Sequence, residues 1–277
     1  MKRSKLVVVA CVVVACLAMV LTGCQTQQYT PADKSQVVSS NALGKDGVLR
    51  VGVNASSAPL AGQTSSSSRI VGIDVDAASY LADELGLNVE VTDIGTDPAS
   101  ALKDGKVDIV MGVDSSEEEA GYWRSSTYLN TGVALFSSSS ENSIPTADSK
   151  PKVAAQASSK SSWRVTNLFG DDSLVSAKDL KAAFEDLKNG SARYVAADAV
   201  IGTYVCDSNK YDDKIVALLQ DPSGYCVGVA ESNTELQNAV SESLSKLVNG
   251  GMMDVIEAKW LGQSLNLKDF TVIKGAA

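Results

Sequence analysis

The sequence predicts an α/β protein whose folded part consists of two similar halves. Short apolar strands alternate with amphipathic helices, an order typical of a mainly parallel sheet that helices cover on both faces. This alternation occurs twice, and a serine-rich segment with two prolines, residues 137–151, separates the two occurrences. A break of that kind between two α/β patterns indicates two lobes.

In the first half, glycine and proline mark where elements end and begin. Gly86 stands where the first helix should end, because glycine readily adopts the left-handed conformation of a helix terminus. Asp97-Pro98 combines an N-cap residue with proline at the first helical position, and therefore predicts a helix start. The predicted elements are strands at residues 49–53, 88–92, 107–111 and 132–136, with helices at residues 76–85 and 98–105.

The second half repeats the alternation, and two further helices follow it. The segment at residues 176–187 carries an apolar stripe on one helical face, and Ser232 with Glu235 predicts a capping box at a later helix start. The predicted strands are residues 152–156, 194–197 and 214–219, and the predicted helices are residues 161–169, 176–187, 199–206, a helix that begins after Ser232, and residues 252–260.

The N-terminal residues predict an export signal. Lys2, Arg3 and Lys5 precede an apolar run, residues 6–21, that is short for a membrane span. Leu21-Thr22-Gly23-Cys24 follows directly and resembles a bacterial lipobox, in which the cysteine becomes the lipidated first residue. An uncleaved anchor helix is the alternative. The lipobox favours attachment through a lipid on Cys24 to the extracytoplasmic face of the cell membrane.

Charge and composition exclude several classes of function. The formal net charge is −9, and loss of three basic residues with the signal gives −12 (−9 − 3), which disfavours nucleic acid as a partner. The chain has no histidine, so Ser-His-Asp catalysis and histidine-metal sites are excluded. We expect no metal and no cofactor, since the acidic run after Asp114 fits no calcium-loop spacing.

Two of the five cysteines belong to the mature folded chain. Cys11 and Cys16 leave with the signal, and Cys24 carries the lipid. In an exported protein the remaining Cys206 and Cys226 predict a disulfide, with two separately buried thiols as the alternative.

Six segments match one family pattern in the same order, between about residues 46 and 265. They are Leu49-Arg50-Val51-Gly52-Val53; Gly72-Ile73-Asp74-Val75-Asp76; Leu102-Lys103-Asp104-Gly105-Lys106-Val107-Asp108; Leu187-Lys188-Asn189-Gly190 with Asp198; Tyr225 before Val227-Gly228-Val229; and Lys259-Trp260-Leu261-Gly262. Together they resemble the amino-acid-binding proteins of extracellular solute-binding protein family 3, which serve ATP-driven (ABC) importers.

The resemblance implies a type II periplasmic-binding-protein-like fold with two hinge crossovers and a ligand cleft between the lobes. The implied partners are a small-molecule ligand and an ABC transporter permease, and the protein is expected to be a monomer that is not an enzyme. The implied organisation is a signal peptide at residues 1–23, a flexible tether at 24–45, lobe one at 46–136 and 227–277, lobe two at 150–221, and hinge segments at 137–149 and 222–226.

The resemblance also implies the ligand-binding positions. Asp198 matches the carboxylate that pairs with a ligand's α-ammonium group, and it is also placed to cap the helix that begins at Ala199. The implied positions are Asn54, Ser57, Ile73, Gly112, Asp114 and Glu119 in lobe one, and Gln156, Ser158, Ser159, Lys160 and Asp198 in lobe two.

Two departures from the family pattern change the expected ligand. Glu119 stands where the family carries an arginine that grips the ligand's α-carboxylate, and Ser57 stands near an expected aromatic residue. Glu119 also suits a capping box with Ser116. If the acidic residues face the cleft, a carboxylate about 5 Å from one of them meets roughly 3 kcal/mol of repulsion at a dielectric near 20. We therefore hypothesise a cationic or neutral polar solute that is not bound in the family's usual way.

Two other functions stay open at this point. One is a surface sensor or adhesion lipoprotein with a degenerate cleft, which would also lack the arginine and the aromatic residue. The other is a dehydratase that uses carboxylates such as Glu119 and Asp198 in place of histidine.

Overall fold

The computed structural model describes residues 35–64, 67–116, 121–138 and 143–275, and two main sheets organise this part of the chain. The strands are β1 Val48–Val53, β2 Ser56–Ser57, β3 Ala61–Gln63, β4 Ile70–Val71, β5 Asn88–Asp93, β6 Ile109–Asp114, β7 Trp123–Arg124, β8 Leu129–Thr131, β9 Val133–Ser138, β10 Val153–Gln156, β11 Leu174–Ala177, β12 Tyr194–Asp198, β13 Asp213–Leu218 and β14 Ser223–Val229. The helices are α1 Ile73–Glu84, α2 Pro98–Lys103, α3 Lys160–Phe169, α4 Leu180–Lys188, α5 Ala199–Asn209, α6 Thr234–Asn249 and α7 Met252–Leu261.

Lobe one is the part built around the six-stranded sheet, in the order β5-β1-β6-β14-β7 with β8 also paired to β14. Strands β5, β1 and β6 run parallel, and β14 runs antiparallel to β6. The buried side chains of α1, among them Ala77, Ala78 and Leu81, face the core, and α1 packs beside α6 and α7. Parallel strands with helical connections are the α/β pattern that the sequence predicts.

Lobe two is the part built around the five-stranded sheet, in the order β11-β10-β12-β9-β13. Strands β11, β10 and β12 are parallel, and β9 is antiparallel to both of its neighbours. Phe136 of β9 packs edge-on against Phe184 of α4, with ring centroids 5.5 Å apart. The α/β class and the two-lobed organisation agree with the expectation from the sequence.

The lobes divide at different residues from those expected. The chain leaves lobe one between β8 and β9, at Gly132, so residues 133–136 belong to the second sheet. The chain returns to lobe one between β13 and β14, so that lobe one resumes at residue 223 and not at residue 227 as expected. The C-terminal segment then reaches lobe two again, because Leu218 donates its N–H to Thr271 (2.9 Å) and accepts the N–H of Ile273 (2.8 Å).

Two local predictions are wrong in detail. Strand β11 occupies residues 174–177 and takes the first two residues of the predicted helix 176–187, so α4 begins only after Asp179, whose side chain accepts the N–H of Ala182 at 2.7 Å. Asn233 caps α6, in place of Ser232, by accepting the N–H of Leu236 at 3.2 Å. Glu235 is not in a capping box, since it accepts hydrogen bonds from Ser39.

The predicted disulfide is wrong: Cys206 and Cys226 are two separately buried thiols. Cys206 lies on α5 in lobe two, whereas Cys226 lies in β14 of lobe one and donates to the carbonyl oxygen of Val113 at 3.4 Å. The crossing between the lobes lies between the two positions, which is why proximity in sequence does not bring the thiols together.

Among the described residues, no helix combines the length and the apolar character that a membrane crossing requires. The signal segment, the predicted lipidation site at Cys24 and most of the tether lie outside the described residues.

Candidate functional site

The carboxyl ends of the parallel strands in lobe one open onto a cavity of about 210 Å³. Asn54 follows β1 directly, and Gly112 lies in β6, two residues before the strand ends at Asp114. These two residues and Ser57 line the cavity together, as the sequence predicts for a ligand wall. Ile73 differs, because it is fully buried in the core of lobe one and its side chain is not available to a solute.

Asp74 also lines this cavity, although the sequence analysis did not select it as a ligand position. The residue is 2% exposed, and Tyr128 donates its hydroxyl hydrogen to Asp74 Oδ1. Tyr128 is held in turn by the N–H of Gly112, at 3.0 Å. Burial raises the pKa of Asp74 to about 7, against the smaller opposing effect of the Tyr128 hydrogen bond.

Gly112 keeps the second oxygen of Asp74 open to the cavity. Its backbone has φ +72°, in the left-handed region that favours glycine. A Cβ at this position would lie 2.6 Å from Asp74 Oδ2, so any other residue would have to displace that oxygen or cover it. Glycine at position 112 therefore serves both the strand's local conformation and access to Asp74.

Asp198 ends β12 and connects the two lobes through hydrogen bonds. Its Oδ1 accepts the N–H groups of Val200 and Ile201, both at 3.0 Å, so the predicted N-cap of α5 is confirmed. Its Oδ2 accepts Thr131 Oγ1 at 2.6 Å and Tyr225 OH at 3.4 Å, both from lobe-one strands. Burial raises the pKa of Asp198, and these four hydrogen bonds oppose the rise. Its role as a ligand contact stays a prediction.

Three carboxylates gather around Tyr225. Burial raises the pKa of its hydroxyl, and the charges of Asp198, Asp114 and Asp74 raise it further, in that order. Tyr225 belonged to a family-like segment in the sequence, but nothing there indicated that it lies among the three acids. Neither Asp74 nor Asp198 forms an ion pair with a lysine or arginine in the part of the chain that the structure describes.

Asp114 is the carboxylate of this group that has a cationic partner. Lys160, the first residue of α3 in lobe two, reaches its Oδ2 at 3.4 Å and Ser116 Oγ at 3.3 Å. Burial would raise the pKa of Asp114, but hydrogen bonds from Ser116 and the charge of Lys160 outweigh it, and the pKa is lowered. Lys160 therefore spans the gap between the lobes.

The remaining lobe-two positions form the start of α3. Ser159 caps the helix by accepting the N–H of Ser162 at 3.0 Å, and it donates to the carbonyl oxygen of Gln156 at 2.7 Å. Ser158 has φ +56°, an uncommon left-handed conformation, and its side chain is exposed, as is that of Gln156. Glu119, the residue in place of the family's arginine, lies outside the described residues.

Comparison with known proteins places this arrangement in a family. The sequence model of the bacterial extracellular solute-binding proteins, family 3, matches residues 49–263. The L-cystine-binding protein TcyA of Bacillus subtilis (strain 168) is 23% identical over 270 residues, which cover 96% of this chain and all of that protein. The L-cystine-binding protein TcyJ of Escherichia coli (strain K12) is 24% identical over 80% of this chain and 85% of its own length.

Solved structures share the fold. An ancestral cationic amino acid solute-binding protein superposes with a TM-score of 0.67 at 25% identity, over 78% of this chain and 96% of its own. The L-cystine solute receptor of Neisseria gonorrhoeae, in its unliganded open conformation, superposes with a TM-score of 0.69 at 23% identity, over 79% and 95% of the two chains. The chain belongs to the bacterial extracellular solute-binding proteins of family 3.

Proposed function

We propose that this protein is a lipid-anchored, extracytoplasmic receptor that binds a small amine-bearing solute between its lobes and delivers it to an ABC importer. The observation that carries the proposal is a pair of carboxyl groups, Asp74 and Asp198, that have no cationic partner among the residues the structure describes. They stand near the same tyrosine, Tyr225. A ligand ammonium group is the complement that such a pair lacks.

The cost of burial explains why an ammonium group would bind here. A carboxylate that is removed from water without an opposite charge is unfavourable, and the raised pKa values of Asp74 and Asp198 report that cost. A charge-assisted hydrogen bond from a ligand nitrogen offsets it. An anionic solute would instead meet roughly 3 kcal/mol of repulsion from a single carboxylate at about 5 Å.

Delivery requires that the loaded receptor differ in conformation from the empty receptor, so that the importer can distinguish the two. A ligand favours lobe closure only when it contacts both lobes at once. Asp74 belongs to lobe one and Asp198 to lobe two, so an amine-bearing solute that reaches both has this property.

The relatives support an amine-bearing ligand. TcyA and TcyJ are named for L-cystine and the ancestral solute-binding protein for cationic amino acids, and each of these compounds carries at least two ammonium or guanidinium groups. The absence of the family's arginine at Glu119 favours net cationic members of this set.

The binding test is isothermal titration calorimetry of the purified protein with lysine, ornithine, putrescine, L-cystine, glutamine and glutamate. We expect a cation with two ammonium groups to bind most tightly and glutamate not to bind. Asp198→Asn should weaken that binding by about 10- to 100-fold, because a charged hydrogen bond is lost while the cap oxygen remains.

Asp179→Asn is the matched control, since Asp179 caps α4 as Asp198 caps α5. It should leave the affinity unchanged. Glutamate as the tightest ligand, or equal affinities in the Asp198→Asn and wild-type proteins, would refute the proposed ligand class.

Lipid attachment is tested separately with Cys24→Ala in the full-length protein. We expect the variant to lose incorporation of labelled fatty acid and to appear in the soluble fraction. Unchanged labelling of the variant would show that Cys24 is not the lipidated residue.

A further inference from the structure

Only one of the two carboxylate oxygens of Asp74 is open to the cavity in lobe one. Oδ1 accepts the hydroxyl hydrogen of Tyr128. Oδ2 accepts no hydrogen bond from the described residues, and it is not one of the side-chain atoms there that are fully buried without a partner. Because Asp74 lines the cavity, the accessible surface of Oδ2 faces the cavity. A ligand in the cavity therefore meets one carboxylate oxygen instead of two.

Tyr128 is held in the position that blocks Oδ1. The residue is 3% exposed and packs among the buried apolar side chains of the core. Its hydroxyl oxygen accepts the N–H of Gly112 at 3.0 Å, which leaves the hydroxyl hydrogen for Asp74. The side chain cannot turn away and release Oδ1 unless the core around it opens.

Gly112 keeps the other oxygen clear, and the surroundings of that oxygen are largely apolar. A Cβ at position 112 would lie 2.6 Å from Asp74 Oδ2 and 3.9 Å from a methyl group of Leu60. Leu60, Ile94 and Met111 all line the cavity. Apolar walls around a single polar group suit a ligand arm of methylene groups that carries its charge at the tip.

Ammonium and guanidinium groups use a carboxylate differently. A guanidinium group binds most strongly through two parallel N–H···O bonds, one to each carboxylate oxygen. An ammonium group is a compact charge with rotatable donors, and one N–H is enough for one oxygen. When one oxygen is already occupied, the guanidinium group loses its second bond, whereas the ammonium group keeps the bond that it needs.

We infer that Tyr128 is a specificity-determining residue: because it occupies Asp74 Oδ1, the cavity selects a solute whose charged arm ends in an ammonium group over one whose arm ends in a guanidinium group. The inference rests on the proposed function, since it concerns the second nitrogen of a solute that binds between Asp74 and Asp198. It narrows the ligand class from cations in general to primary amines of the lysine or ornithine type.

The test is isothermal titration calorimetry at pH 8 with two pairs of amino acids. Ornithine and arginine share one length of methylene chain, and lysine and homoarginine share the next, so only the charged group differs within a pair. In the wild-type protein we expect the ammonium member of each pair to bind about tenfold more tightly than the guanidinium member.

Tyr128→Phe should reduce that ratio to about two- to threefold, because both oxygens of Asp74 are then open and the guanidinium group regains its second bond. The ratio is the quantity to compare. The hydrogen bond from Tyr128 lowers the pKa of Asp74, so its loss raises that pKa and weakens the binding of both members of a pair by the same factor.

Tyr211→Phe is the matched control. Tyr211 donates its hydroxyl hydrogen to Glu185 Oε1 at 2.7 Å, so this substitution also removes a hydrogen bond between a tyrosine and a carboxylate. Neither residue lines the cavity in lobe one, and the ratio should stay at its wild-type value.

Two results would overturn the inference and leave the proposed function intact: a wild-type protein that binds the guanidinium member of each pair as tightly as the ammonium member or more tightly, or an unchanged ratio in Tyr128→Phe. If none of the four cations binds, the proposed function and the inference fall together. The wild-type comparison decides the inference by itself if Tyr128→Phe does not fold.

Discussion

Asp74 links the stability of lobe one to pH. Its pKa of about 7 lies above the ordinary value of 3.8 that applies in the unfolded chain. Between those two values the folded state binds more protons than the unfolded state, so the free energy of unfolding falls as pH rises through this window. Below about pH 4 both states are protonated and the effect is absent.

Asp74→Asn should remove this dependence, because the amide cannot ionise. If the amide and the protonated acid are equivalent in the fold, we expect the variant to be more stable than the wild type by about 1 kcal/mol at pH 4.5 and by about 4 kcal/mol at pH 8. Urea unfolding at pH 4.5, 6 and 8 measures the difference. Asp198 and Glu257, whose pKa values are also raised, are present in both proteins, so their contributions to the pH dependence cancel in the difference. Parallel pH profiles for the two proteins would contradict the assignment.

Lys160 competes with a cationic solute for the carboxylate of Asp114. The pair is partly exposed, with side-chain exposures of 52% for Lys160 and 31% for Asp114, so it contributes only about 0.5–1 kcal/mol. Lys160→Met should therefore tighten the binding of a cationic solute by about two- to fivefold, as measured by calorimetry. Lys181→Met, an exposed lysine on α4, is the control. Weaker binding in Lys160→Met would instead show that Lys160 contacts the ligand.

Sequence reasoning finds some of these residues and misses others for a physical reason. Asp198 is recognisable because a strand end and a helix start meet there, and both signals are local. Asp74 is not recognisable, since an acidic residue in the first turn of a helix is ordinarily exposed to solvent and simply stabilises the helix through its dipole. Its burial depends on Tyr128 and on the glycine at position 112, which approach only in the folded chain.

The C-terminal segment packs against lobe two, although it follows the lobe-one helices α6 and α7 in the sequence. Ile273 is 6% exposed and packs in a cluster with residues of β9, β10 and β12. Ile273→Ala should lower the free energy of unfolding by about 2–4 kcal/mol, as measured in urea. Ile144→Ala is the control, because Ile144 is 42% exposed and should change stability little. Equal effects of the two substitutions would show that the segment does not support lobe two.

The positions of strands and helices were predicted more reliably than the pairing of the strands. The apolar run at residues 132–136 predicts a strand, and strand β9 forms there. The sequence of a fully buried strand does not show which of the two sheets the strand joins. Strand β11 was missed because four residues give too short a pattern to separate strand from the helix start beside it. The division of the chain between lobes thus depends on pairings that sequence periodicity does not contain.

At the scale of the whole molecule, we propose that two α/β lobes present carboxylates from opposite sides to one solute. Asp198 already joins them, since it accepts hydrogen bonds from Thr131 and Tyr225 of lobe one. The number of lobes and their class follow from the repeated strand and helix pattern. The identity of the solute does not, because it depends on which acids remain unpaired after folding.

The most direct test is a crystal structure of the protein with the tightest-binding solute from the calorimetric panel. We predict the solute between the lobes, with one nitrogen about 2.7–3.0 Å from a carboxylate oxygen of Asp198 and a second nitrogen directed at Asp74. A solute bound elsewhere, or one whose nitrogen atoms face away from both carboxylates, would contradict the central claim.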